Sequence, residues 1–232
     1  AQAVVVGASK GLEVTTGKRM SEVYAEAGVH SADKYVACSG PSIANEFAHK
    51  KPTAVVLASS NANSLHKASE AMANPYFHVD VCDDIDGVEL GGILKNIYAL
   101  GMGLLEGLNH GSLNLKAVFL TLALREMKQI AVKMGAQEKT IEGLAGLGDL
   151  VTTGISADSH NHKLGVALAQ GAEFDKVIAQ LGGEVPEGVR TLSTVMEKVG
   201  STLDTPLARL IQTCLNQPAE RSKFIDEVLK AV

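Results

Sequence analysis

The chain has 232 residues, 46% hydrophobic and 20% charged, with 23 Gly and no Trp, which suits one large or two modest globular domains with ample core. Its net charge is −5 and its 21 basic residues are dispersed rather than grouped in stripes, which argues against a nucleic-acid partner. Gly, Glu, Lys or Asn interrupts the longest apolar runs and no basic leader opens the chain, so we expect a soluble, cytoplasmic protein without membrane insertion.

In chain order, Ala3 to Lys10 reads as a short buried strand running into a loop, because a β-branched run is bounded by Gly and Ser. A helical pattern follows over 17–28, then a strand at Tyr35 to Cys38 and a tight turn, Gly40-Pro-Ser42, that opens a helix. Thr53 to Ala58 is a third strand, 62–74 an amphipathic helix, and Tyr76 to Val81 a fourth strand. This alternation predicts right-handed crossovers and a mostly parallel sheet. Cys38, Cys82 and Cys214 are odd in number and far apart, as reduced thiols rather than a disulfide framework.

From Asp84 the pattern is helical only: 84–108, then 114–135 with Leu120, Leu124, Met127 and Ala131 as its buried face, then 138–148, 161–170, 174–181, 187–199, 205–215 and 219–231. Gly or Pro marks most joints, among them Gly135, Gly154, Gly171, Gly182, Pro186, Gly200, Pro206 and Pro218. The fold class is therefore α/β followed by all-α, with domains over 1–83 and 84–232. Long Gly- and Ala-rich helices pack in pairs, which allows a homodimer.

The helix over 84–108 carries the most suggestive chemistry. On a helical wheel Gly91, Gly92, Ala99 and Gly103 share the side of Lys95, while Leu90, Ile93, Ile97, Leu100 and Leu104 form a stripe opposite. Two readings stand: a face cleared for a ligand beside a cationic amine, or glycines that admit a neighbouring helix with Lys95 solvated. Lys10 and Gly40-Pro-Ser42 follow strand ends, where ligands of α/β sheets sit; equally, Lys10 suits a surface and Ser42 an N-cap. Gly146 to Thr153 places Asp149 and Thr153 after a glycine-flanked turn, and Ser159-His-Asn-His162 opens a helix whose N–H groups suit an anion or an ordinary cap. His160 and His162 lack companions at metal-ligand spacing, so no metal is expected. The dinucleotide fingerprint G-x-G-x-x-G does not occur in the chain.

Lys10-Gly-Leu-Glu13, Gly40-Pro-Ser42, Gly87 to Asn96, Gly143 to Leu150, Ser159-x-Asn161 and Pro186-Glu-Gly-Val189, in this order, resemble NAD(P)-dependent glycerol-3-phosphate dehydrogenase of the bacterial type. The resemblance implies a hydride transfer between NAD(P)H and dihydroxyacetone phosphate, a small phosphorylated three-carbon substrate, giving sn-glycerol 3-phosphate for phospholipid synthesis. It implies a partial Rossmann-like parallel sheet, the C-terminal part of a dinucleotide-binding domain, over 1–83. Over 84–232 it implies a helical substrate-binding and catalytic domain like the C-terminal domain of 6-phosphogluconate dehydrogenase. It further implies Lys95 as the proton donor and acceptor at the C2 oxygen. Lys10, Gly40, Ser42, Asn96, Asp149, Thr153, Ser159, His160 and Asn161 would surround the substrate. Lys10, Ala44, His160, Val185 and Glu187 would touch the dinucleotide.

Three departures qualify the resemblance. The family's glycine-rich turn and the first half of its dinucleotide domain are not in these residues. His160 stands where the family has Arg, and cannot form a bidentate fork to phosphate. Gly111-Ser-Leu-Asn114 replaces Gly-Asp-Asn. The leading expectation is the substrate-binding and catalytic portion of such an enzyme. The alternatives are a catalytically silent truncated relative acting as a ligand-binding or dimerisation module, and an NAD-dependent dehydrogenase of another small hydroxy acid.

Overall fold

The computed structural model describes residues 3–28, 32–108, 112–199 and 202–232. Gly111 and Gly200, singled out above, lie outside the described residues. The chain forms two compact units: Ala1–Gly92 with Ala131–Asp149, and Ile93–Ile130 with Leu150–Val232.

The first unit holds a four-stranded sheet in chain order, β1 (Val5–Gly7), β2 (Tyr35–Ser39), β3 (Thr53–Ala58) and β4 (Phe77–Cys82). β1 pairs parallel with β2 and β3 parallel with β4, as expected, but β2 and β3 run antiparallel, Ala37 opposite Ala58. The reversal has a local cause. Gly40, directly after β2, has φ 138°, and α2 (Ala44–Ala48) is only five residues long, too little helix to carry the chain back for a parallel crossover.

Strand alternation buries both faces of the sheet. Tyr35, Ala37, Val56 and Ala58 cluster with Val88 and Ala145, while Val36 and Leu57 cluster with Ala68. α1 (Met20–Ala27) brings Met20 and Tyr24 to the first cluster, and α3 (Ala62–Met72) brings Ala68, Leu65 and Met72 to the second. Asn61 caps α3 by accepting from Ser64 N at 3.0 Å.

The expected helix over 138–148 is in fact two elements, α6 (Glu138–Glu142) and a π-helical turn, Leu144–Gly148, that runs straight into α7 (Asp149–Ile155). The segment expected to be a flexible turn is thus wound. A Cβ on Gly146 would stand 2.1 Å from Ile141 O, and one on Gly91 2.4 Å from Ala145 O, so close backbone contact explains these glycines.

α4 (Ile85–Gly107) passes from the first unit into the second between Gly92 and Ile93. The expected stripe is buried, but so are Tyr98, Ala99, Met102 and Leu105, each 0% exposed. The helix is therefore buried on every side along this stretch and lies in a core rather than on one. By length and composition it is apolar enough to cross a membrane, contrary to expectation, yet that stretch is wholly buried in the protein.

α5 (Leu113–Lys133), which belongs to the second unit as far as Ile130, buries Phe119, Leu122, Ala123, Met127, Ile130 and Ala131. The expected face was rotated: Leu120 and Leu124 are only half-buried. The remaining helices are α8 (His160–Ala169), α9 (Phe174–Gln180), α10 (Glu187–Val199), α11 (Pro206–Asn216), a 3-10 turn (Pro218–Lys223) and α12 (Phe224–Lys230). Gly103 does not face a cleared space. Its Cβ would stand 2.1 Å from His162 O and 3.0 Å from Gly165 Cα, so here the glycine admits a neighbouring helix.

Candidate functional site

In the first unit the polar cluster begins at the end of β1. Lys10 Nζ donates to Asp149 Oδ2 at 2.6 Å, the lysine side chain 25% exposed and the carboxylate 3%. Ser39, last residue of β2 and 2% exposed, donates its hydroxyl to the same Oδ2 at 3.2 Å. Gly92 makes this packing possible, because a Cβ there would lie 2.6 Å from Ser39 Oγ and 3.3 Å from Lys10 Cγ. The neighbouring Cys38 thiol is pushed up from its ordinary value by burial, with Lys10 opposing.

Gly40 is required twice over. Its φ of 138° disfavours any side chain, and a Cβ would meet Val55 Cα at 2.9 Å. Ser42 is not an N-cap: Ile43 occupies that position, and Ser42 donates to Gly40 O at 3.0 Å, bracing the turn. Ala44 is exposed at the first position of α2.

In the second unit Lys95 is 6% exposed, which corrects the solvated reading, and its Nζ donates to Thr153 Oγ1 at 2.6 Å. Beside it Asn96 accepts from Asn161 Nδ2 at 3.1 Å, and Asn161 Oδ1 accepts from Gly188 N at 2.9 Å. This relay ties α4, α8 and α10 together. Gly188 has no room for a side chain, since a Cβ would fall 2.4 Å from Asn96 O.

Ser159 caps α8 by accepting from His162 N at 3.3 Å, so of the two readings of this helix start the ordinary cap is the one observed. His160 and Glu187 are exposed at the first positions of α8 and α10, and Val185 is half-buried just before α10. The structure thus joins Lys10 to Asp149, Lys95 to Thr153, Asn96 to Asn161 and Ser42 to Gly40. Sequence reasoning missed Ser39, which sits one residue before the Gly40-Pro-Ser42 block and carries no motif of its own.

A largely parallel α/β sheet with a lysine at a strand end, followed by a helical unit with a buried lysine on its first long helix, defines a class: proteins that join a Rossmann-type sheet to a helical domain. The comparisons with known proteins narrow it. The family model described as NAD-dependent glycerol-3-phosphate dehydrogenase C-terminus matches residues 84–226, and its N-terminus counterpart matches 1–65. Glycerol-3-phosphate dehydrogenase, NAD(P)+, of Geobacter sp. strain M21 is 42% identical over 98% of this chain and 68% of its own. The Macrococcus caseolyticus protein of the same name is 44% identical over 84% of this chain and 58% of its own. The crystal structure of glycerol-3-phosphate dehydrogenase from Coxiella burnetii superposes with a TM-score of 0.90 at 32% identity, covering 99% of this chain and 70% of that one. The chain belongs to the NAD-dependent glycerol-3-phosphate dehydrogenase family. It spans 58% and 66% of the length of the Macrococcus and Chlorobium relatives.

Proposed function

We propose that the protein is the substrate-binding and catalytic portion of a cytoplasmic NAD(P)-dependent glycerol-3-phosphate dehydrogenase, interconverting dihydroxyacetone phosphate and sn-glycerol 3-phosphate. The observation that carries this reading is the Lys95 ammonium, 6% exposed and directed at Thr153, within a chain matched along 84–226 by the family's C-terminal model. We assign residues 1–83 to the dinucleotide-binding domain and 84–232 to the substrate domain.

The donor set suits a carbonyl reduction. A ketone gains negative charge on oxygen as it is reduced, and an ammonium held in a low-dielectric setting both stabilises that charge and delivers the proton. Thr153 fixes the amine, and Asn96, held by Asn161, presents an amide beside it. Lys10, Asp149, Gly40, Ser42, Ser159 and His160 complete the substrate set, and Ala44, Val185 and Glu187 the cofactor contacts. NAD(P)H, when bound, supplies the hydride. The residues present fit its reacting end but not its pyrophosphate, since no G-x-G-x-x-G occurs and α2, the helix after β2, is a five-residue turn.

In the full-length protein, Lys95→Ala should lower kcat by about 10²–10⁴-fold with a smaller effect on KM, because it removes a general acid and its charge. Steady-state kinetics with dihydroxyacetone phosphate measures this. A variant with near-normal kcat would remove Lys95 from the chemistry and the reading with it.

A further inference from the structure

Resting on that reading, we propose that Ser39 is a positioning residue for the reaction, acting through the Asp149 carboxylate on the Lys10 ammonium. Three observations within the first unit converge on it. Ser39 and Lys10 donate to one and the same atom, Asp149 Oδ2, at 3.2 and 2.6 Å. Ser39 is 2% exposed and the Asp149 side chain 3%, while Lys10 remains 25% exposed. Gly92 is cut back to hydrogen where a Cβ would strike the serine hydroxyl at 2.6 Å and the lysine stem at 3.3 Å.

The physical argument concerns freedom of rotation. A carboxylate turns readily about its χ2 torsion, and a lysine amine on a four-carbon stem follows whichever oxygen it pairs with. Ser39 comes from a sheet strand, where its backbone is fixed by pairing opposite Val56. Its hydroxyl therefore pins Oδ2 in one place, and Oδ2 pins the amine. The ammonium is then in position before substrate arrives, and no binding free energy goes into ordering it. An alanine at 39 would keep the strand and lose the pin. The carboxylate would still attract Lys10, but over a range of geometries.

The test is a double-mutant cycle in the full-length enzyme, with kcat/KM for dihydroxyacetone phosphate and the melting temperature read for each protein. Ser39→Ala should lower kcat/KM about ten-fold in the Asp149 background, the size expected for losing one hydrogen bond to a charged group. In the Asp149→Asn background it should lower it less than about two-fold, because the group it acts through has lost its charge. Melting temperatures should agree within about 3 °C between proteins that differ only at Ser39. Equal losses in both backgrounds, no loss in either, or a Ser39→Ala protein that does not fold would each overturn the proposal. Lys95→Ala serves as the control for the underlying reading: normal kcat there undoes the reaction assignment itself, whereas a silent Ser39→Ala beside an inactive Lys95→Ala undoes only the role of Ser39.

Discussion

Lys95 was legible as a candidate because glycines crowd its helix, while the sequence left open whether those glycines clear a face for a ligand or admit a neighbouring segment. Gly103 admits the His162 carbonyl and Gly91 the Ala145 carbonyl, contacts between segments far apart in sequence, which wheel positions cannot reveal. Ser42 shows the same limit in reverse: a serine before a helix reads as a cap, yet its hydroxyl turns back to Gly40 O. His160 is the residue whose chemistry departs most from its relatives as the sequence reads. It is exposed at the first position of α8, where a side chain can reach an anion held at the helix start, but an imidazole offers a single N–H in each direction and an arginine a planar fork. His160→Arg in the full-length enzyme should therefore lower KM for dihydroxyacetone phosphate by about five-fold, with kcat changed little. An unchanged KM would show that His160 does not face the phosphate.

Between elements, two buried glutamates do work that no local pattern announced. Glu89 on α4, 7% exposed, accepts from Ser21 N at 2.9 Å, Ser21 Oγ at 2.5 Å and Tyr35 OH at 2.9 Å, so it caps α1 from another helix. Glu126 on α5, 4% exposed, accepts from Leu207 N at 2.5 Å, Ala208 N at 3.0 Å and Tyr98 OH at 2.9 Å, and caps α11 likewise. The seam of α4 with α8 has a titratable group of its own. His162, 5% exposed, faces Glu106 of α4, with Nε2 3.4 Å from Glu106 Oε2 in poor hydrogen-bonding geometry, and Lys116 of α5 pairs with the same oxygen at 2.7 Å. Burial holds this imidazole below its ordinary value of 6.5, with Glu106 opposing and Lys116 assisting. The unfolded chain therefore binds more protons than the folded one just below pH 6.5, and folded stability falls as pH drops through that point. Denaturation midpoints of the full-length protein at pH 7.5 and 5.5 should show this loss, and His162→Asn should reduce it. An identical loss in the variant would mean that His162 contributes nothing to it. Glu106 does not confuse the comparison, since its hydrogen bond with Lys116 holds it below the usual carboxylate range.

At the scale of the molecule, most elements were legible because periodicity marks them, and the change from alternating strands and helices to helices alone located the sheet and the helical part. What escaped was pairing direction: β2 and β3 read like any two strands of a parallel sheet, and only Gly40 with the shortness of α2 reverses them. The division of the expected 138–148 helix into α6 and a π-helical turn escaped too, since the glycine at 146 signals a turn in sequence and close packing against Ile141 in structure.

The same scale decides what these 232 residues do with a dinucleotide. Binding one takes a glycine-rich turn at a helix N-terminus, where free N–H groups and the helix dipole meet the pyrophosphate. No such fingerprint occurs here, and the lysine nearest a strand end is paired with Asp149. A nicotinamide alone offers few atoms, and small contacts seldom overcome the cost of immobilising a flexible ligand. Calorimetric titration of the 232-residue chain with NADH should therefore show no micromolar binding, while a chain of the relatives' full length titrates normally. Circular dichroism of the shorter chain, showing the helical content described above, guards against reading an unfolded sample as a weak binder. Micromolar affinity in a folded 232-residue chain would instead place the pyrophosphate among the residues described here and overturn this reading of the cofactor site.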